Sequence, residues 1–324
     1  MEEKLLYCAN FNVTFGDEEL PMLEFFEEII YPAFKSGFIR GKEDVLPYYF
    51  FDNIVLKMHE NNRAILCGNL IKNTELRRKT ILKDGQITSS PHIMESSPYS
   101  RFVIFLDNHR LILVKNESDS PDTRSFEATA KEVISKYIRK ENRRRKQENQ
   151  KSEDLRKELL PKASVRVIDT PSEDEIKKMV GEAYKIAYLK LSFFPLNNDD
   201  DPSGLFENLR KEAESLGSKT GNVTFNSPRS KEEVIKVLDA TNGLADPNLR
   251  IRDENKNERN ISKKDFKTQE RIPLAKDLSE ENDTYIIENG LKNPKMGILS
   301  EANKKLYLRK ISILSSLIDN QNKQ

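Results

Sequence analysis

Apolar residues recur along this chain with two different periods, and the switches between them outline its elements. Leu20, Leu23, Phe26, Ile30 and Phe34 follow helical spacing with acidic residues between them, which predicts a helix over 20–35 packing an aromatic stripe on a sheet. The runs Tyr48–Met58, Arg63–Ile71 and Arg77–Lys83 are β-type and are separated by turn-prone Asn-Asn and Asn-Thr, and Asp84-Gly85 suits a tight hairpin. Phe102–Leu106 and Leu111–Val114 flank Asp107-Asn108-His109-Arg110, a second hairpin that places His109 in an exposed turn. From Ser125, the positions Phe126, Ala130, Val133, Ile134, Tyr137 and Ile138 form one apolar helical face, and no large apolar residue follows until Leu155.

After Val165 a short β-type run and a capped amphipathic helix recur three times. Val165–Ile168 leads into Pro171-Ser172-Glu173-Asp174-Glu175, a capping box, and Tyr184–Phe194 reads as a strand with Ala187, Leu189, Leu191 and Phe193 on one face. Phe206, Leu209, Ala213 and Leu216 mark a helix stopped by Gly217, and Lys219–Phe225 is a strand. Ser230-Lys231-Glu232-Glu233 opens a helix through Val234, Val237 and Leu238. A hairpin from Leu249 to Lys264 turns at Glu254-Asn255-Lys256-Asn257. Over Lys304–Ile318, Leu306, Leu308, Ile311, Leu314, Leu317 and Ile318 predict a last amphipathic helix, docked on its own chain or forming a dimer seam.

The pattern gives an α+β fold class: two mixed α/β domains joined by a basic helical or linker segment, with a C-terminal amphipathic helix. The expected boundaries are 1–138 for the first domain, 139–160 for the basic segment, 161–275 for the second domain and 276–324 for the tail. A length of 324 residues suits two domains.

Charge changes the picture locally rather than globally. Lys+Arg 54 and Asp+Glu 53 leave a net charge of +1, so polyanion binding must rest on patches. Residues 139–151 form such a patch, containing Arg143, Arg144, Arg145 and Lys146 and lacking an apolar face. It reads either as a solvated linker or as a grip on phosphates, and without interleaved aromatics the contact expected is to a duplex backbone. The late hairpin adds Arg250, Arg252, Arg259, Lys263, Lys264 and Lys267, cations that also keep an edge strand from aggregating. The nucleic-acid-binding set is therefore Arg143, Arg144, Arg145, Lys146, Arg250, Arg252, Lys263 and Lys264.

Catalytic signatures are sparse. Cys8 and Cys67 are far apart and without metal-ligand spacing, so they read as buried apolar groups in a reducing compartment. His59, His92 and His109 have no neighbouring nucleophile. The triplet Asp199-Asp200-Asp201 is expected to be a solvated loop rather than a cation site, because successive loop carboxylates point apart. Asp246, Glu254 and Lys256 loosely match a metal-dependent nuclease and supply the enzyme alternative. A third reading is a non-catalytic scaffold or regulatory subunit assembled by the terminal helix. No apolar run is long enough to span a bilayer, and the expectation is a cytoplasmic protein without cofactor or metal.

The succession Ser164–Ile168, Glu173–Val180, Ile186–Asp200 and Leu249–Pro273, preceded by the Arg101–Glu117 hairpin and the helix from Ser125, resembles the layout of the RexA-like phage-exclusion proteins and a related prophage and defence-island family. The likeness lies in the order of elements rather than in identical residues. It implies a homodimeric, sequence-indifferent binder of duplex DNA, serving bacterial antiphage defence as a sensor for a separate effector such as a membrane protein. It carries over no catalytic residue.

Overall fold

A computed structural model describes residues 2–83, 85–148, 159–197, 199, 204–242, 244–262, 265, 269–280 and 282–323; the side chains of 77–83, 87–92, 205 and 280 lie outside the description. The architecture is mixed α+β, with two separate antiparallel sheets.

The larger sheet grows around β1 (Glu2–Phe15), whose alternating side chains are buried on both faces. It is followed by the short β2 (Leu20–Pro21), a continuous helical stretch from Met22 to Lys35 that ends in α1 (Tyr31–Lys35), then β3 (Ile39–Lys42), β4 (Val45–His59), β5 (Arg63–Lys83), β6 (Gln86–Ser96), β7 (Tyr99–Phe105) and β8 (Arg110–Lys115). The helix expected over 20–35 is thus present, though its hydrogen bonding passes from 3₁₀ through π to α. Phe11, Phe34, Phe51, Phe102 and Phe126 meet edge-on or stacked under it, with Phe34 and Phe51 centroids 4.4 Å apart.

α2 (Thr123–Glu148) covers the same face and takes in residues 139–148 of the segment expected to be either linker or helix extension. Its lower half holds position through ion pairs and through Asn142, which bonds both backbone groups of Leu160. Residues 149–158 lie outside the described chain.

Strand β9 (Ala163–Asp169) pairs with β1, from Ala163 opposite Phe15 to Asp169 opposite Ala9. Strand β14 (Gln269–Leu274) continues along the same edge, with Gln269 opposite Tyr7 and Leu274 opposite Glu2. The expected boundaries at 161 and 275 therefore cut through the larger sheet. β1 is long enough to take both partners end to end, and short-range patterning cannot reveal which distant strand fills an edge.

Between those two strands lies the smaller sheet, in the order β11 (Gly221–Asn226), β10 (Lys185–Phe193), β12 (Ala245–Arg252), β13 (Glu258–Ser262). α3 (Glu173–Glu182), α4 (Leu205–Ser215) and α5 (Lys231–Ala240) supply its core residues Ile176, Val180, Phe206, Val234 and Leu238, against Leu189, Leu191, Leu249 and Ile261. Both expected capping boxes form: Ser172 Oγ accepts from Glu175 N–H, and Ser230 Oγ from Glu233 N–H. Gly217 ends α4 at φ +72°. Ala187 does not join the buried face of β10, because a register irregularity between Ile186 and Tyr188 turns Ile186 inward instead.

The tail closes the opposite face of the larger sheet. α6 (Asp283–Leu291) buries Ile286 and Ile287 against Leu6, Cys8 and Ile112. α7 (Glu301–Gln321) returns to the first face and buries Leu306, Tyr307 and Leu314 in its core. This face of the helix docks on its own chain, one of the two arrangements expected for it. No helix among the described residues is long and apolar enough to cross a membrane.

Candidate nucleic-acid interface

The basic stretch becomes the last turns of α2, and helical geometry sorts its cations by direction. Glu141 and Arg145 continue the inward face, where Arg145 bonds Glu28 at 2.5 Å and Glu141 at 3.1 Å. Arg144 is clamped between Glu141 and Glu148, each at 2.6 Å. Those hydrogen bonds, from Arg144 first, hold the Glu141 carboxyl down to about 2. Arg139, Arg143 and Lys146 stand at i, i+4 and i+7 on the outward side, with Lys140 beside them. Arg143 and Lys146 are exposed and make no ion pair among the described residues. Arg139 donates to Ser135 O at 3.2 Å and lies 3.9 Å from a Glu132 oxygen, and the Lys140 ammonium lies 5.5 Å over the Phe38 ring.

The hairpin cations are differently placed. Arg250 and Arg252 project from the helix-free face of β12, and Glu258 on β13 holds both guanidinium groups at 2.6 Å. Hydrogen bonding from Arg252, then the nearby charge of Arg250, lowers the Glu258 pKa. Arg259 is exposed on the same hairpin. Lys263, Lys264 and Lys267 lie outside the described residues. Of the expected set, Arg144, Arg145, Arg250 and Arg252 are matched by carboxylates, while Arg143 and Lys146 have no such partner among the described residues. Helical spacing could show the Arg144 pairs with Glu141 and Glu148, but Glu28 and Glu258 reach their arginines only through the fold.

The nuclease alternative does not assemble. Asp246 is the second residue of β12 and sits 3.8 Å from Arg166, whereas Glu254 and Lys256 lie in the turn beyond its far end, so the six residue steps from Asp246 to Arg252 alone separate them by about 20 Å. Among the described residues, no cluster of three or more His, Cys, Asp or Glu side chains has metal-binding geometry.

A buried polar seam between the two sheets went unseen in the sequence. His109, expected in an exposed turn, is fully buried at φ +58°. The tail covers that turn: Asn108 Nδ2 donates to Met296 O and Ile298 O, and the imidazole lies beside Asn303 without a hydrogen bond to either ring nitrogen. Burial pushes the His109 pKa down, keeping the ring neutral. Arg110 is equally buried; its Nη1 donates to Asn242 O at 3.3 Å, and the Asp199 charge acts on it. Asp199 also accepts from Asn10 Nδ2 at 2.9 Å, so the first aspartate of the triplet is a docking residue; Asp200 and Asp201 are outside the described chain. Asn12 donates to Pro195 O at 2.6 Å and accepts from Asn197 N–H at 2.8 Å. Alternating Asn10, Asn12 and Thr14 in an otherwise apolar β1 was the available signal for such a seam.

Cys8 and Cys67 are free and fully buried, as expected, and burial pushes both thiols up to about 12. Comparison of the chain with protein-family models, curated proteins and solved structures finds no match.

Proposed function

We propose that this chain binds duplex DNA without reading its sequence, and that the contact is the outward ridge of α2 formed by Arg139, Lys140, Arg143 and Lys146. The observation that carries the reading is a contrast within one helix: Arg144 and Arg145 are neutralised by Glu28, Glu141 and Glu148, while Arg143 and Lys146 make no ion pair among the described residues. Cations near a helix C-terminus also offset the macrodipole, which accounts for one or two of them but not for a continuous ridge. The resemblance in layout supports a role in antiphage defence, as a homodimeric sensor for a separate effector.

A gel-shift salt series tests the reading. Log affinity falls linearly with log salt, and replacing Arg143 and Lys146 together by Ala lowers the slope by about two, one for each phosphate contact. Arg144→Ala leaves the slope nearly as it was, because that charge is already matched. Absence of binding at about 50 mM salt ends the proposal, since backbone contacts are strongest there. Phage plating on cells producing the double variant tests the defence role separately.

A further inference from the structure

The smaller sheet has helices on one face only. On the other, in register across the strands, stand Asn222, Ser192 and Asp246, then Thr224, Lys190, Asn248 and Ser262, then Tyr188 and Arg250. A solvated polar face is ordinary for an antiparallel sheet, and this one carries shallow, open depressions. Two adjoining clefts of about 470 Å³ and about 350 Å³ share Ser192 and Asp246, the second walled by Arg166 and Phe194 at the border with the larger sheet.

We infer that this groove binds a short stretch of single-stranded nucleic acid, an assignment that rests on the nucleic-acid reading above and extends it to a second surface. Charge favours an anionic occupant: Arg250 and Arg252 share the single Glu258 carboxylate, Arg166 lies 3.8 Å from Asp246 and Asp265 accepts from Ser262, while Lys190 and Lys185, which is level with Arg252, add two cations to that balance. Lys190 makes no ion pair among the described residues, and Arg250 Nε is buried without a hydrogen-bond partner. Size favours a single strand, because the volumes are those of small-ligand sites rather than of a surface on which a duplex lies. Chemistry points the same way. Ser192 donates to Asn222 at 2.6 Å, Tyr188 to Asn248 at 3.1 Å and Ser262 to Asp265 at 3.1 Å, which sets the Asn222 and Asn248 amides so that their NH2 groups face the groove as donors for the exposed edges of unpaired bases. The Arg166 guanidinium stacked 4.8 Å over Phe194 supplies a fixed cation at the groove wall.

The test is fluorescence anisotropy with a labelled oligothymidylate and a blunt duplex of equal length. Lys190→Ala weakens oligothymidylate binding about tenfold and shifts duplex affinity less than about twofold. Replacing Arg143 and Lys146 by Ala does the reverse. Glu258→Gln, which releases Arg250 and Arg252, strengthens the single-strand complex. Thermal unfolding of Lys190→Ala superimposable on wild type shows that the loss is not one of folding. Oligothymidylate binding unchanged by both Lys190→Ala and Asn248→Ala overturns the groove while leaving the α2 ridge standing. Thymidine monophosphate binding as tightly as the oligomer overturns it in favour of a mononucleotide site. If neither polymer binds, both readings fall.

Discussion

Single side chains carry the polar seam, and their energetics follow from burial. Asn12 is 2 % exposed and satisfies a carbonyl and an N–H on the 195–197 loop. Asn12→Ala leaves both unpaired away from water and destabilises the protein by about 1–3 kcal/mol, measurable by urea unfolding. Asp283 is a second such residue. Burial raises its pKa, but hydrogen bonds from Arg101 and Lys57 outweigh it and leave the carboxyl below its ordinary value. A carboxylate depressed in the fold adds stability above its unfolded pKa and loses it as pH falls through the folded one. Asp283→Asn is therefore less stable by about 3 kcal/mol at neutral pH, and the difference shrinks through the acid range in unfolding curves taken from pH 7 down to pH 2. His109 adds to acid sensitivity in the same direction, since a ring held neutral by burial takes up its proton only on unfolding. The buried Asn residues of β1 could be noticed in the chain as breaks in an apolar strand, but their partners Pro195, Asn197 and Asp199 lie far away in sequence. His109 looked like a turn residue because Asp-Asn-His-Arg has turn chemistry; it does turn, and the tail then buries it.

Among elements, those defined by local interactions were the most legible. Ser172 and Ser230 cap their helices through groups three residues away, and Gly217 stops α4 through its own backbone, so no distant contact was needed to foresee them. Helix α2 was only half legible. Its apolar stripe ends at Ile138, yet Glu141 and Arg145 extend the inward face through an ion pair with Glu28, which hydrophobic periodicity does not register. Helix α7 was recognised, and its burial makes a distinct prediction. Because Leu306, Tyr307 and Leu314 belong to the main core and Tyr307 Oη donates to Asn62 O, removal of residues after Asn303 exposes that core. The truncated chain should melt several degrees lower and bind a hydrophobic dye, rather than dissociate as folded subunits.

For the whole molecule, the informative feature is that one sheet edge is interrupted. β9 ends opposite Ala9 and β14 begins opposite Tyr7, so the chain leaves and re-enters the larger sheet two residues apart along β1, about 7 Å. The smaller sheet and its helices form an insertion with adjacent ends. Replacing residues 171–267 by a short Gly-Ser linker should therefore leave the larger sheet folded with a cooperative melt, since what it uncovers around Asn10, Asn12 and Arg110 is polar and accepts water. A variant that aggregates instead would show that the two sheets form a single cooperative unit.

Periodicity and capping decide local structure because they depend on residues within a turn or two, and these features of the chain were enough to set most of its helices and strands and the α+β class, though neither the central strand β1 nor helix α6. Which strands fill the edge of β1, which carboxylate anchors Arg145 and which polar residues of β1 lose water depend on contacts between residues a hundred or more positions apart. Glu28 beside Arg145, Asp199 beside Asn10, and β14 beside β1 are of that kind, and only the folded chain brings them together.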